Sequence, residues 1–262
     1  MIRNRYADTP AGQIHARTVD GTGPAILFLH QTATSAHSYL PLLGALDVPN
    51  RLIALDTPGF GESFEVEGMP ELADYAGWIV AAADALAAGD VHLFGHHTGA
   101  NLAIEIAARW PGRIRTLMLL GPAFMAEDER AAFAGAFAEP IRPRRDGSHL
   151  LENWRYAADH NPSCDTELIH GEVTAMLRAW RARPQAYGAV ARHDTAAVAR
   201  TLRLPVLLLT APGDYFHAAL DRARALLPHA DVAEVGGDNF SPGADPHGVA
   251  RAIERFLAAQ PG

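Results

Sequence analysis

The stretch Val91-His92-Leu93-Phe94-Gly95-His96-His97-Thr98-Gly99-Ala100-Asn101-Leu102 constrains this chain more than any other. An apolar run of strand length reaches Gly95, a tight turn is confined between two glycines, and a helix-favouring segment follows Gly99. A strand with so few polar residues is expected to be buried on both faces, as in a parallel sheet. The middle residue of that turn is His97.

Other segments repeat the pattern. Short strands are expected at 3–8 and 12–19, and nearly continuous apolar strands at 24–30, 51–56, 114–120 and 204–210. Helices are expected near 38–46, 71–88, 99–109, 216–227 and 246–259, and a last strand at 231–235. Strands alternating with helices imply crossover units and a mostly parallel sheet. The alternation stops between 125 and 200, where only helical segments are read. The expected organisation is therefore a core built from 1–124 and 201–262, with an inserted helical cap at 125–200.

Composition excludes several classes. Of 262 residues, 48% are apolar, enough to fill one large core. The net charge of −8 and the lack of a basic run argue against nucleic acid or an anionic membrane as partner. Arg142, Arg144 and Arg145 form the densest positive cluster and read as a solvated loop. The single cysteine, Cys164, rules out an intrachain disulfide and points to a reducing, cytoplasmic setting. No signal-peptide core precedes the first strand, and no apolar run is long enough to span a bilayer.

Four landmarks together resemble the α/β-hydrolase superfamily. They are Leu29-His30 after one strand, Asp56-Thr57-Pro58-Gly59-Phe60-Gly61-Glu62-Ser63 after the next, the turn at 95–99, and Thr210-Ala211-Pro212-Gly213-Asp214 after a late strand. The turn matches the nucleophile elbow G-x-S-x-G, with His97 where serine would attack. The resemblance implies the α/β-hydrolase fold, a mostly parallel twisted sheet flanked by helices. It also implies that Asp214 is the family's acid, and that the loop carrying its histidine is 236–242, which places Asn239 at that position. The His-Gly pair usual beside the oxyanion hole reads His30-Gln31-Thr32 instead. A serine mechanism is excluded by these residues.

The catalytic set expected is therefore His97, Asp214 and Asn239. Backbone N–H groups of Thr32 and Thr98 are the expected oxyanion donors. His30, Gln31, Trp154 and Tyr156 are the expected substrate contacts. An imidazole at the elbow has its own lone pair, so it needs no second base, and the helix N-terminus beside it disfavours the imidazolium form. Asn239 is expected to orient substrate or ring as a neutral partner.

Three functions fit these residues. The first is cofactor-free hydrolysis of a small apolar or aromatic carbonyl or ester compound, with His97 as nucleophile or base. The second is a lyase, isomerase or decarboxylase using His97 as base, and the third a binding protein that has lost turnover. No metal and no cofactor are expected, because no ligand spacing such as H-E-x-x-H occurs and neighbouring histidines at a strand end are expected to diverge. His30 and His96 also have a packing reading, and His217 and His247 are weighed as substitute bases. The expected partner is a small-molecule substrate, with a homodimer left open.

Overall fold

The computed structural model describes residues 1–260; the last two positions of the 201–262 core segment lie outside the described residues. In chain order the strands are β1 (Arg3–Thr9), β2 (Gly12–Val19), β3 (Gly23–Leu29), β4 (Asn50–Leu55), β5 (Val91–His96), β6 (Ile114–Leu120), β7 (Val206–Thr210) and β8 (Asp231–Glu234). They form one sheet in the order β1-β2-β4-β3-β5-β6-β7-β8. The β1–β2 and β2–β4 pairs are antiparallel and every later pair is parallel.

Each central strand divides its side chains between two cores. Leu27, Leu29, Leu93, Leu117, Leu119 and Leu208 enter one cluster, which α2 (Leu72–Ala85) and α3 (Thr98–Arg109) cover. Ile26, Phe28, Phe94, Met118, Leu120 and Leu209 enter the other, covered by α1 (Leu40–Ala45) and the carboxyl-terminal helix Pro246–Ala258. Apolar residues on both sides of the pleat are what make these strands read as unbroken hydrophobic runs. The edge strand β1 shows Arg3, Asn4, Arg5 and Tyr6 to solvent, a charged rim that discourages edge pairing.

Between β6 and β7 the chain has no strand. It forms α4 (Glu127–Ala136), α5 (Ser148–Asp159), α6 (Thr166–Arg178), α7 (Ala182–Arg192) and α8 (Thr195–Ala199). Asn101 in α3 ties this insertion to the core: its Nδ2 donates to Thr195 Oγ1 at 3.0 Å, and its Oδ1 accepts from Ala123 N–H. After β7 come α9 (Leu220–Leu226) and, beyond β8, α10 (Ser241–Ala244) and α11 (Pro246–Ala258). The helix expected at 216–227 is shorter, because a 3-10 turn at His217–Ala219 precedes it. Among the described residues no helix is long and apolar enough to cross a membrane.

Candidate active site

A sharp strand-to-helix turn carries His97. His97 sits between β5 and α3 with φ 48° and ψ −110°, a region that non-glycine residues rarely occupy. Such a conformation costs on the order of 1–3 kcal/mol and persists only where the surroundings impose it. Here His97 N–H donates to Leu120 O at 2.9 Å, and His97 O accepts from the N–H groups of Ala100 and Asn101. The flanking glycines are dictated by contact. A Cβ at Gly95 would lie 2.3 Å from Gly99 O, and one at Gly99 would lie 1.9 Å from Leu29 O. Only hydrogen fits where the helix start rests on the strand ends.

The imidazole reaches the acid directly. His97 Nε2 lies 2.7 Å from Asp214 Oδ2, and the Asp214 side chain is fully buried. The other carboxylate oxygen accepts from Phe216 N–H at 2.6 Å, so the turn after β7 fixes the carboxylate before the ring meets it. With a carboxylate as acceptor, Nε2 carries the proton and Nδ1 keeps the lone pair. Phe216 stands edge-on to the ring at 5.1 Å. Gly121, after β6 with φ 54°, closes the remaining side.

A cavity of about 100 Å³ opens above His97. Of the expected residues, Gln31, Thr32, His97, Thr98, Tyr156 and Asn239 line it. Thr98 begins α3, where the first N–H groups of a helix have no intrahelical acceptor. The Asn239 side chain is engaged with main chain: Oδ1 accepts from Tyr215 N–H at 2.9 Å and Nδ2 donates to His160 O at 2.8 Å. It thereby joins the loop after β8 to the end of α5, while the Asn239 main-chain carbonyl accepts from Gln31 Nε2 at 3.1 Å.

Two expected substrate contacts lie elsewhere. His30 is buried with both ring nitrogens occupied, Nδ1 by Gln31 O at 2.8 Å and Nε2 by Thr57 N–H at 2.9 Å. Accepting and donating at once requires a neutral ring, and burial holds its pKa below the usual value against the opposing pull of Asp56. Trp154 is half-buried against the larger core cluster and is not part of the cavity wall. The alternation of faces along α5 explains the exchange: Tyr156, two residues on, points to the cavity instead.

Neither weighed substitute base reaches the site. His217 Nδ1 is bound to Thr210 Oγ1 at 2.9 Å, and His247 is exposed in the first turn of α11. Cys164 offers no nucleophile: burial, then the Asp238 charge, pushes its thiol up to about 11.

The histidine pair differs from expectation. The rings of His96 and His97 lie 4.3 Å apart rather than diverging, because the positive φ at His97 turns its side chain back beside its neighbour. Donor atoms of His96, His97 and Asp214 come within 4.8 Å of one another, a spacing a metal ion could share. His97 and Asp214 already satisfy each other by hydrogen bonding. Burial, reinforced by His97 and His30, holds the His96 pKa well below its usual value, and its Nε2 has no partner among the described residues.

Sequence reading did not single out the phenylalanines of the aromatic wall. Phe133, Phe137, Tyr187 and, from the core, Phe216 and Phe240 supply most of it. Aromatic residues in amphipathic helices look the same whether they face a core or a cavity.

Comparison with known proteins identifies the family. Residues 24–167, more than half of the chain, match the family described as alpha/beta hydrolase fold. The 2-(acetamidomethylene)succinate hydrolase of Mesorhizobium japonicum is 28% identical over 255 residues, covering 91% of this chain and 90% of that protein. A haloalkane dehalogenase of the same organism is 36% identical over 104 residues, covering 40% of this chain and 32% of that one. Among solved structures, E-2-(acetamidomethylene)succinate hydrolase superposes with a TM-score of 0.78 at 23% identity, covering 99% of this chain and 100% of that chain, a likeness of fold.

Proposed function

The chain belongs to the α/β-hydrolase fold family, and on that premise we propose that it hydrolyses an acyl bond, ester or amide, in a small substrate, with His97 as the general base. The observation that carries this reading is the 2.7 Å contact between His97 Nε2 and Asp214 Oδ2. A carboxylate accepting the Nε2 proton fixes the tautomer and stabilises the imidazolium that forms when Nδ1 takes a proton. The elbow histidine thus combines two positions that serine enzymes keep separate.

In the proposed reaction, water attacks the substrate carbonyl while its proton passes to His97 Nδ1. The developing oxyanion is met by the N–H groups of Thr32 and Thr98, both at the cavity wall. As the tetrahedral species collapses, His97 returns the proton to the leaving oxygen or nitrogen, which departs neutral. The helical insertion acts as a cap, and its aromatic side chains exclude bulk water from the carbonyl. Two relatives are named as hydrolases of succinates that carry an acetamido or an N-methylformamido group, which supports an N-acyl substrate.

Rapid mixing with 4-nitrophenyl acetate, quenched for intact mass, tests the base assignment. The expected result is steady turnover with no burst and no acetylated protein. An acetyl adduct on the peptide carrying His97 would instead make that ring the nucleophile.

A further inference from the structure

Arg183, near the start of α7, is 6% exposed. Its guanidinium carbon lies 4.4 Å from the Tyr156 ring centroid, 5.7 Å from that of Phe137 and 5.8 Å from that of Tyr187. All three rings line the cavity above His97, and Arg183 stands directly behind them rather than among the lining residues. Arginine is charged at any physiological pH, and a buried cation is strongly unfavourable unless an anion or several acceptors meet it.

Among the described residues no carboxylate lies within 4.0 Å of Arg183, although twelve other ion pairs form in the protein. Its side-chain partners are neutral: Nη1 donates a long hydrogen bond to Asn153 Oδ1 at 3.5 Å, and the guanidinium also lies against the Tyr187 hydroxyl. Glu172, the buried acid of α6, makes no ion pair with it among the described residues, and burial raises that carboxyl to about 8. Stacking on Tyr156 occupies the flat face of the guanidinium and leaves its in-plane N–H donors for another acceptor. Tyr187, one turn along α7, donates from its hydroxyl to Thr32 O at 3.0 Å, which connects this wall to the expected oxyanion donors.

We infer that Arg183 is the carboxylate-binding group of the pocket, and that the substrate is an anion carrying a carboxylate apart from its scissile acyl group. The cap would then recognise the anionic end, with Tyr156 and Tyr187 as the aromatic frame, while His97 acts at the other end. The statement that this anion is a substrate rests on the acyl-hydrolysis reading; the statement that Arg183 binds a carboxylate does not.

Binding of benzoate and of its neutral isostere benzamide to the wild-type protein, by calorimetry or ligand-observed NMR, separates the two. Benzoate should bind about tenfold or more tighter, the worth of one charge-assisted contact. Arg183→Met should remove that preference and leave benzamide unchanged, whereas Arg183→Lys should keep part of it. Equal binding of the two ligands by wild type, or an undiminished benzoate preference in Arg183→Met, overturns the assignment. Should Arg183→Met fail to fold, the wild-type comparison and Arg183→Lys decide. Hydrolysis of 4-acetoxybenzoate against its methyl ester then tests the substrate claim: wild type should favour the anion through a lower KM. Absence of turnover on both esters, with benzoate binding intact, would count against the His97 reading alone.

Discussion

Gly121 stands so close to His97 that a Cβ at position 121 would lie 2.6 Å from His97 Cδ2 and 2.7 Å from Nε2. The same atom would lie 3.0 Å from Asp214 Oδ1. An imidazole is bulkier than a serine hydroxyl, and at this elbow the additional space comes from a missing side chain on the neighbouring strand end.

Gly121→Ala should therefore separate the ring from its carboxylate. The residue also has φ 54°, where alanine is disfavoured by about 1–2 kcal/mol. The expected outcome is a fall in kcat of about 10²-fold or more with a destabilisation of roughly 1–3 kcal/mol, read by kinetics and by thermal melting. Unchanged kcat would show that the ring's placement does not depend on this gap.

Asp214→Asn replaces the acceptor of the Nε2 proton with an amide of the same shape. Loss of the tautomer should lower kcat by about 10²–10⁴-fold. Its KM should change little, since Asp214 is buried beneath the ring rather than exposed to the cavity. Steady-state kinetics of the variant, with circular dichroism to confirm folding, decide the matter.

His97→Ser should not restore a serine esterase. Asn239, expected from the resemblance at the family's histidine position, spends its carboxamide on Tyr215 N–H and His160 O, and an amide has no basic lone pair for a hydroxyl proton. Burst kinetics on an activated ester should be absent from the single variant. Efficient hydrolysis by it would show that another base serves this site.

Glu172 gives a pH signature in stability. Burial raises its folded-state carboxyl to about 8, against 4.5 in the exposed chain, and its Oε2 has no partner among the described residues. Between those values the folded protein holds a proton that the unfolded chain has released, so stability falls as pH rises from about 4.5 to about 8 and levels off above. Glu172→Gln should flatten this slope, and near pH 8 it should melt a few degrees above wild type, about 2–4 °C for each kcal/mol recovered. Parallel melting curves across that range would contradict the assignment.

Much of this was legible in the chain because the signals were local. Gly95 and Gly99 flank a turn that only hydrogens permit, and runs such as Ile26 to Leu29 are apolar throughout because both faces of the sheet are covered. Asp214 follows from its place after β7. What could not be read depends on contacts between distant segments. His30 looked available until its two nitrogens met Gln31 O and Thr57 N–H, and Trp154 and Tyr156 differ only in which way α5 turns them. The direct His97–Asp214 bond joins residues 117 apart, and no spacing rule anticipates that the longer imidazole reaches the carboxylate by itself.

The claim that this His–Asp pair performs the chemistry is tested most directly by the rate of 4-nitrophenyl acetate hydrolysis in wild type and in His97→Ala. Wild type should turn the ester over, and the variant should lose at least about 10²–10⁴-fold in kcat/KM, the contribution of a positioned general base. Equal rates in the two proteins, or no hydrolysis by the wild type, would contradict the account.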